Sequence, residues 1–167
     1  SIPKGVAAIQ KIGLEKGFEV DSTSDASWFK DEVLAGYSAV IFLSTTGDIL
    51  DQYQQADFER FIQAGGGFLG IHAAADTEYQ WPWYNQLVGA YFLSLPRQQE
   101  ASLHVLDNTH PATKDIPKEW VHFDEWYNYK SIAEGLNVLL NLDESTYEGG
   151  ENGEHHPIAW FREFDGG

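Results

Sequence analysis

"GGGFLGIHAAAD", residues 65–76, decides the fold. Three glycines lead into a short apolar run that ends on His72, with the length and composition of a buried strand. Upstream, "DQYQQADFERFIQAG" (51–65) has the spacing of an amphipathic helix that stops at Gly65. "SAVIFLS" (38–44) is a continuous apolar, β-branched run of the kind a parallel sheet buries on both faces. "SWFKDEVLAG" (27–36) reads as a short capped helix and "FEVDST" (18–23) as an alternating strand. "SIPKGVAAIQKIGLEKG" (1–17) reads as a helix with Ser1 at its N-cap, Pro3 in its first turn and Gly17 at its end. Alternating helices and strands imply an α/β fold, a mostly parallel sheet with helices on both faces. The glycines at 65–67 precede their strand, whereas a phosphate cradle follows a strand and opens a helix. They therefore read as architecture, ending the helix and letting the chain pass tightly into the strand.

Beyond Asp76 the rhythm loosens. "WPWYNQLVG" (81–89) reads as a short helix; "EASLHVLD" (100–107), "EWVHFDEWYNY" (119–129), "LNVLLNLD" (136–143) and "HHPIAWFREF" (155–164) read as strands. No helix-length segment separates some of these, so an irregular or antiparallel extension is expected in the C-terminal half. "YEGGENGEHH" (147–156) has the composition of a mobile surface loop. At 167 residues the chain fits one α/β domain spanning 1–167. Both ends look cut: the chain starts at a helix N-terminus and stops on the turn signal "FDGG", so terminal strands of the sheet are expected to lie outside it.

Composition narrows the function. The net charge is -16, from 10 basic and 26 acidic side chains, a field that repels nucleic acid and anionic lipid. No apolar run approaches the about 20 residues that cross a bilayer, so no membrane insertion is expected. Cysteine is absent, which excludes disulfides, thiolate metal sites and thiol nucleophiles. The composition does not fix the compartment, and both a bacterial periplasmic or secreted setting and a cytoplasmic one fit. A homo-oligomer is compatible with it.

In open parallel sheets ligands bind beyond the carboxyl ends of the strands. Topology thus gives Thr45, Thr46 and Asp48, after the "AVIFL" strand, a common location with His72 and Asp76, after "GFLGI". His72 reads either as a general acid or base whose tautomer Asp76 or another carboxylate fixes, or as a histidine satisfied by local backbone. In "HFDEWYNY" (122–129) strand alternation sets Asp124 and Trp126 opposite Glu125 and Tyr127, so one carboxylate faces a cleft. Glu125 is the candidate, against a structural role paired with Lys or Arg. His155 and His156 point apart on an extended chain and do not chelate alone. No zinc spacing occurs, so no metal and no cofactor are expected, although His72, Glu125 and His156 could meet in three dimensions. Trp81, Trp83, Trp126 and Tyr127 read either as core packing or as a cleft that stacks on a sugar.

In chain order "TTGD" (45–48), "GGGFLGIHAAADTEYQWPWYNQLVGAYF" (65–92), "THPAT" (109–113), "DEWYNY" (124–129), "LLNLDESTY" (139–147) and "HPIAWFREFDGG" (156–167) resemble the trehalose-utilisation (ThuA-like) family. The resemblance implies a flavodoxin-like sheet related to class I glutamine amidotransferases and a link to sugar or sugar-derivative metabolism. The amidotransferase pattern puts a nucleophilic cysteine where His72 stands. Without a thiol, cysteine-dependent glutamine amidotransferase chemistry is excluded. Family members commonly carry a histidine before the proline in the segment matching "FLSLPRQQ" (92–99), where this chain has Leu95. They also usually have an N-terminal strand and a C-terminal strand with a Gly-His element, both outside residues 1–167.

Two functions follow. The leading one is an enzyme acting on a sugar or oxidised sugar derivative by acid/base chemistry: hydrolysis, isomerisation or elimination. His72, Asp76 and Glu125 would be catalytic; Thr45, Thr46, Asp48, Trp81, Trp83, Trp126, Tyr127, His155 and His156 would bind the small-molecule substrate. The alternative is a non-catalytic carbohydrate-binding module of a larger protein.

Overall fold

Proline in the first turn and a left-handed glycine bracket α1 (Ile2–Lys16), where the Gly17 N–H (φ 81°) donates to the Gly13 carbonyl at 2.8 Å. Ser1 occupies the N-cap without a side-chain hydrogen bond. The computed structural model describes residues 1–167 in two units, Ser1–Val88 with Phe164–Gly167, and Gly89–Glu163.

In the first unit α1 is followed by α2 (Asp31–Leu34), β1 (Ala39–Leu43), α3 (Gln52–Gln63), β2 (Gly67–Ile71), a 3₁₀ turn (His72–Asp76) and α4 (Pro82–Val88). A capping box starts α3: Asp51 accepts from the N–H groups of Tyr53 and Gln54, and Gln54 accepts from that of Asp51. Gly65 (φ 96°) ends it in a left-handed turn, and any Cβ on Gly66 would strike the ring of Phe61. The glycine run is therefore architectural.

β1 and β2 pair in parallel, Ala39 opposite Gly67 through Leu43 opposite Ile71. One face of the pair carries Phe42 and Phe68 into an aromatic core. At its centre Phe58, fully buried, lies 5.4–6.4 Å from the rings of Phe29, Phe42, Phe61, Phe68, Trp81 and Trp83. Tyr84, also fully buried, donates its hydroxyl to the Ala74 carbonyl at 2.7 Å. On the other face α1 packs over β1, with Gly5 against Leu43, and leaves Ile41 and Leu69 exposed. Residues 164–167 return to this unit, where Asp165 accepts from Trp83 Nε1 at 2.8 Å and Gln63 Nε2 at 2.9 Å.

The second unit is antiparallel. β3 (Tyr91–Ser94) pairs with β6 (Asn128–Lys130). β4 (Gln99–Val105), β5 (Glu119–Asp124), β7 (Asn137–Asp143) and β8 (Pro157–Phe161) form a sheet in the order β5-β4-β7-β8. Alternation sets Ala101, Leu103 and Val105 of β4 inward, and Ala101 and Leu103 pack with Trp126 and Leu142.

The expectation of a mostly parallel sheet is corrected: only β1 and β2 pair in parallel, and every other ladder is antiparallel. The expected antiparallel extension supplies most of the strands. "FEVDST" forms no ladder: Phe18 and Val20 are its only apolar residues, and Phe18 stays half exposed. Residues 119–129 form two strands in different sheets. Neighbouring Trp126 and Tyr127 are both buried, which a straight alternating strand does not allow.

Phe58→Ala is expected to lower unfolding free energy by about 3–5 kcal/mol. Tyr53→Ala, at an exposed site on the same helix, should change it by about 0.5 kcal/mol or less; urea denaturation compares them. The Trp83 indole N–H, with Gln63, holds the Asp165 carboxyl below the ordinary aspartate range. A depressed folded value means that this contact stabilises above the unfolded value of about 3.9 and is lost as pH falls through the lower folded one. The Trp83 indole N–H resonance should therefore titrate with a midpoint below about 3.9, and a midpoint at or above it would contradict the assignment.

Candidate functional site

Both parallel strands end in residues forced into the left-handed region, Ser44 (φ 51°) after β1 and His72 (φ 57°) after β2. Non-glycine residues adopt that conformation at a cost of roughly 1–3 kcal/mol, and such strain clusters at functional sites. The strand ends stay joined, the Ser44 N–H donating to the Ile71 carbonyl at 3.0 Å. His72 presents an exposed side chain at the start of the 3₁₀ turn, whose alanines Ala73–Ala75 are buried.

The loop after β1 is zipped to the segment after that turn. Gly47 N–H donates to the Asp76 carbonyl at 2.9 Å, and Glu78 N–H donates to the Gly47 carbonyl at 3.0 Å. The Glu78 carboxylate, 2% exposed, accepts through Oε1 from the N–H groups of Ile49 and Leu50, both at 2.8 Å, and through Oε2 from Gln55 Nε2 at 2.9 Å. Asp76 accepts from the Tyr79 hydroxyl at 2.6 Å.

Hydroxyl counting fixes the polarity of Thr45. Buried Thr77 donates to the Ala73 carbonyl at 3.1 Å, so the 2.9 Å contact between the two threonine hydroxyls has Thr45 as donor. Thr45 is left as an acceptor toward any ligand. Thr46 and Asp48 are exposed on the same loop. The first unit thus brings Thr45, Gly47 and Asp76 into one hydrogen-bonded assembly and carries His72 at the adjoining strand end.

Trp81 and Trp83 go elsewhere. Trp81 is buried, its Nε1 donating to Glu59 at 2.9 Å and its ring stacked at 5.1 Å on that of Trp83. Both belong to the aromatic core around Phe58.

In the second unit Glu125, Trp126 and Tyr127 form the link between β5 and β6. Gln98 Nε2 donates to Glu125 at 3.0 Å. Trp126 is buried in the core and donates Nε1 to the Gln99 carbonyl at 2.8 Å. Tyr127 packs its ring edge-on against Phe92 at 4.6 Å. His155 is exposed, whereas His156 is fully buried. A carbonyl only accepts, so His156 Nε2 carries a proton and donates to the Tyr127 carbonyl at 2.8 Å. Nδ1 lies 2.7 Å from Glu144 Oε1, a separation that needs a second proton between the two atoms.

Residues 147–156, expected to be mobile, are stapled down. Asn128 bonds the backbone of Gly149 and Glu151, Asn152 bonds both main-chain groups of Tyr129, and Glu144 accepts from the Asn152 N–H. Burial, with Glu144 nearby, pushes the Tyr147 hydroxyl well above the usual tyrosine range. An open groove of about 520 Å³ beside His104, Asn141 and Asp143 has its polar side chains already bonded to each other and to backbone. Within neither unit do three His, Asp or Glu side chains gather to hold a metal ion.

Thr77, Glu78, Glu144, Asn128 and Asn152 were absent from the sequence reading. Their signal is tertiary: Glu78, Asn128 and Asn152 bond backbone more than twenty residues away, Thr77 meets the Thr45 hydroxyl, and Glu144 meets His156.

A parallel strand pair with helices packed on it, joined to an antiparallel sheet unit, defines an α/β class of protein, and in open sheets of that class ligands bind beyond the carboxyl ends of the strands. Within that class the chain belongs to the ThuA family, described as trehalose utilisation, whose model matches residues 1–167. Two solved structures are similar. A protein described as ThuA-like from Bacteroides uniformis shares 28% identity at a TM-score of 0.77, over 95% of this chain and 67% of that one. Another described as ThuA-like, from Parabacteroides merdae, shares 23% identity at a TM-score of 0.76, over 97% and 71%. No curated protein matches the sequence. The family ties the chain to carbohydrate metabolism. No helix is long and apolar enough to cross a membrane.

His156→Leu removes the ring's bonds to Glu144 and to the Tyr127 carbonyl, leaving that carbonyl without its imidazole donor; an unfolding free-energy loss of about 3 kcal/mol is expected, with faster amide exchange across residues 148–156. His155→Leu, at an exposed position, should leave both unchanged.

Proposed function

We propose that the protein is an enzyme acting on a sugar or oxidised sugar derivative by acid/base chemistry at the carboxyl ends of β1 and β2. The carrying observation is His72: strained, exposed, and set at the strand end beside a loop that hydrogen bonds hold to Asp76. His72 is the proton-transfer group and Asp76 its companion acid. Thr45 accepts from a substrate hydroxyl, and Thr46 and Asp48 offer further polar contacts. Glu125 and exposed His155 are separate candidates of the second unit, for proton transfer and substrate contact, and buried Tyr127 is a weaker one.

The burial of Trp81, Trp126 and His156 favours structural roles for these three. It also weighs against the alternative, a non-catalytic carbohydrate-binding module, which needs exposed rings on which a sugar stacks. The flavodoxin-like layout and a single domain over residues 1–167 belong to the same proposal. The family match over that span supports the single domain, and exposed Ile41 and Leu69 support further elements completing the sheet.

Turnover of disaccharides, trehalose among them, and of keto-sugars should fall by about 10²–10⁴ in His72→Ala. Equal turnover by the two proteins would remove His72 from the chemistry. Glu125→Gln in the same panel tests the second acid separately.

A further inference from the structure

We infer that Glu78 is the positioning residue of this site: its buried carboxylate sets the place of the loop, residues 44–50, that carries Thr45, Thr46 and Asp48. The inference rests on the site reading above and deepens it. Glu78 is a titratable group the proposed chemistry does not use, yet it sits in the left-handed region (φ 56°), which a glutamate adopts only under constraint. Any residue but proline could donate its main-chain N–H to the Gly47 carbonyl; only an acceptor side chain can take the N–H groups of Ile49 and Leu50 together. The other carboxylate oxygen takes Gln55 Nε2, which also reaches the Leu50 carbonyl at 3.4 Å. Glu78 therefore couples the loop to α3, while the neighbouring Thr77 hydroxyl turns Thr45 into an acceptor. One dipeptide, Thr77–Glu78, thus sets both the position and the hydrogen-bond polarity of the loop.

Amide exchange and the sugar panel decide this on Glu78→Gln, Glu78→Leu and the original protein. Glutamine keeps an oxygen for Ile49 and Leu50, and the Gln55 amide can turn to meet it. Exchange at those two amides should stay near the original in Glu78→Gln. In Glu78→Leu, which fills the volume without an acceptor, it should rise on the order of 10²-fold, with β1 and α3 amides unchanged. Turnover should follow, retained in Glu78→Gln and lost in Glu78→Leu. Unchanged exchange in Glu78→Leu, or a uniform rise across the unit, would overturn the inference. Local release with unchanged turnover would overturn the link between loop and chemistry. If the original protein turns over no sugar, or His72→Ala changes nothing, the site reading falls, while exchange still decides the hold of Glu78 on the loop.

Discussion

A buried main-chain donor or acceptor has to be paired, and long-range side chains meet that demand in both units. Glu78 does so for Ile49 and Leu50, and His156 does so for the Tyr127 carbonyl. Each group is itself buried and charged or highly polar, so it is stable only while its partners stay in place. Loops that composition marks as pliable are thereby held in one conformation. In the first unit this order lies beside the proposed chemistry; in the second it joins the β5–β6 link to residues 147–156.

The two units build their cores differently. The parallel pair β1–β2 depends on aromatic packing on one face, with Phe58 meeting six rings. The antiparallel sheet follows strand alternation, with small and branched residues of β4 and β7 around Trp126. Trp81 and Trp126 are thus buried in the cores of their respective units.

What the sequence made legible was local. The Asp51 capping box, the left-handed Gly17 and Gly65 and the apolar runs of β1 and β2 are written in neighbouring residues, and so is His72 at a strand end. What it hid was non-local. Nothing near Glu78 shows that it bonds residues 28 and 29 positions earlier, nor does "GEHH" show that His156 reaches back to Tyr127. The long aromatic stretch 119–129 misled for the same reason: two adjacent buried rings need a change of sheet, and periodicity alone cannot place one. The parallel sheet was overextended because "FEVDST" has a strand's alternation without enough apolar surface to hold a ladder.

The return of residues 164–167 to the first unit has a kinetic consequence. That unit is made of two stretches separated by the whole of Gly89–Glu163. During synthesis its aromatic core can collapse early, but the Asp165 contacts to Trp83 and Gln63 form only after the intervening sheet has been made. The second unit is thus an insertion in chain order, and the contacts that complete the first unit wait on the synthesis of everything between them.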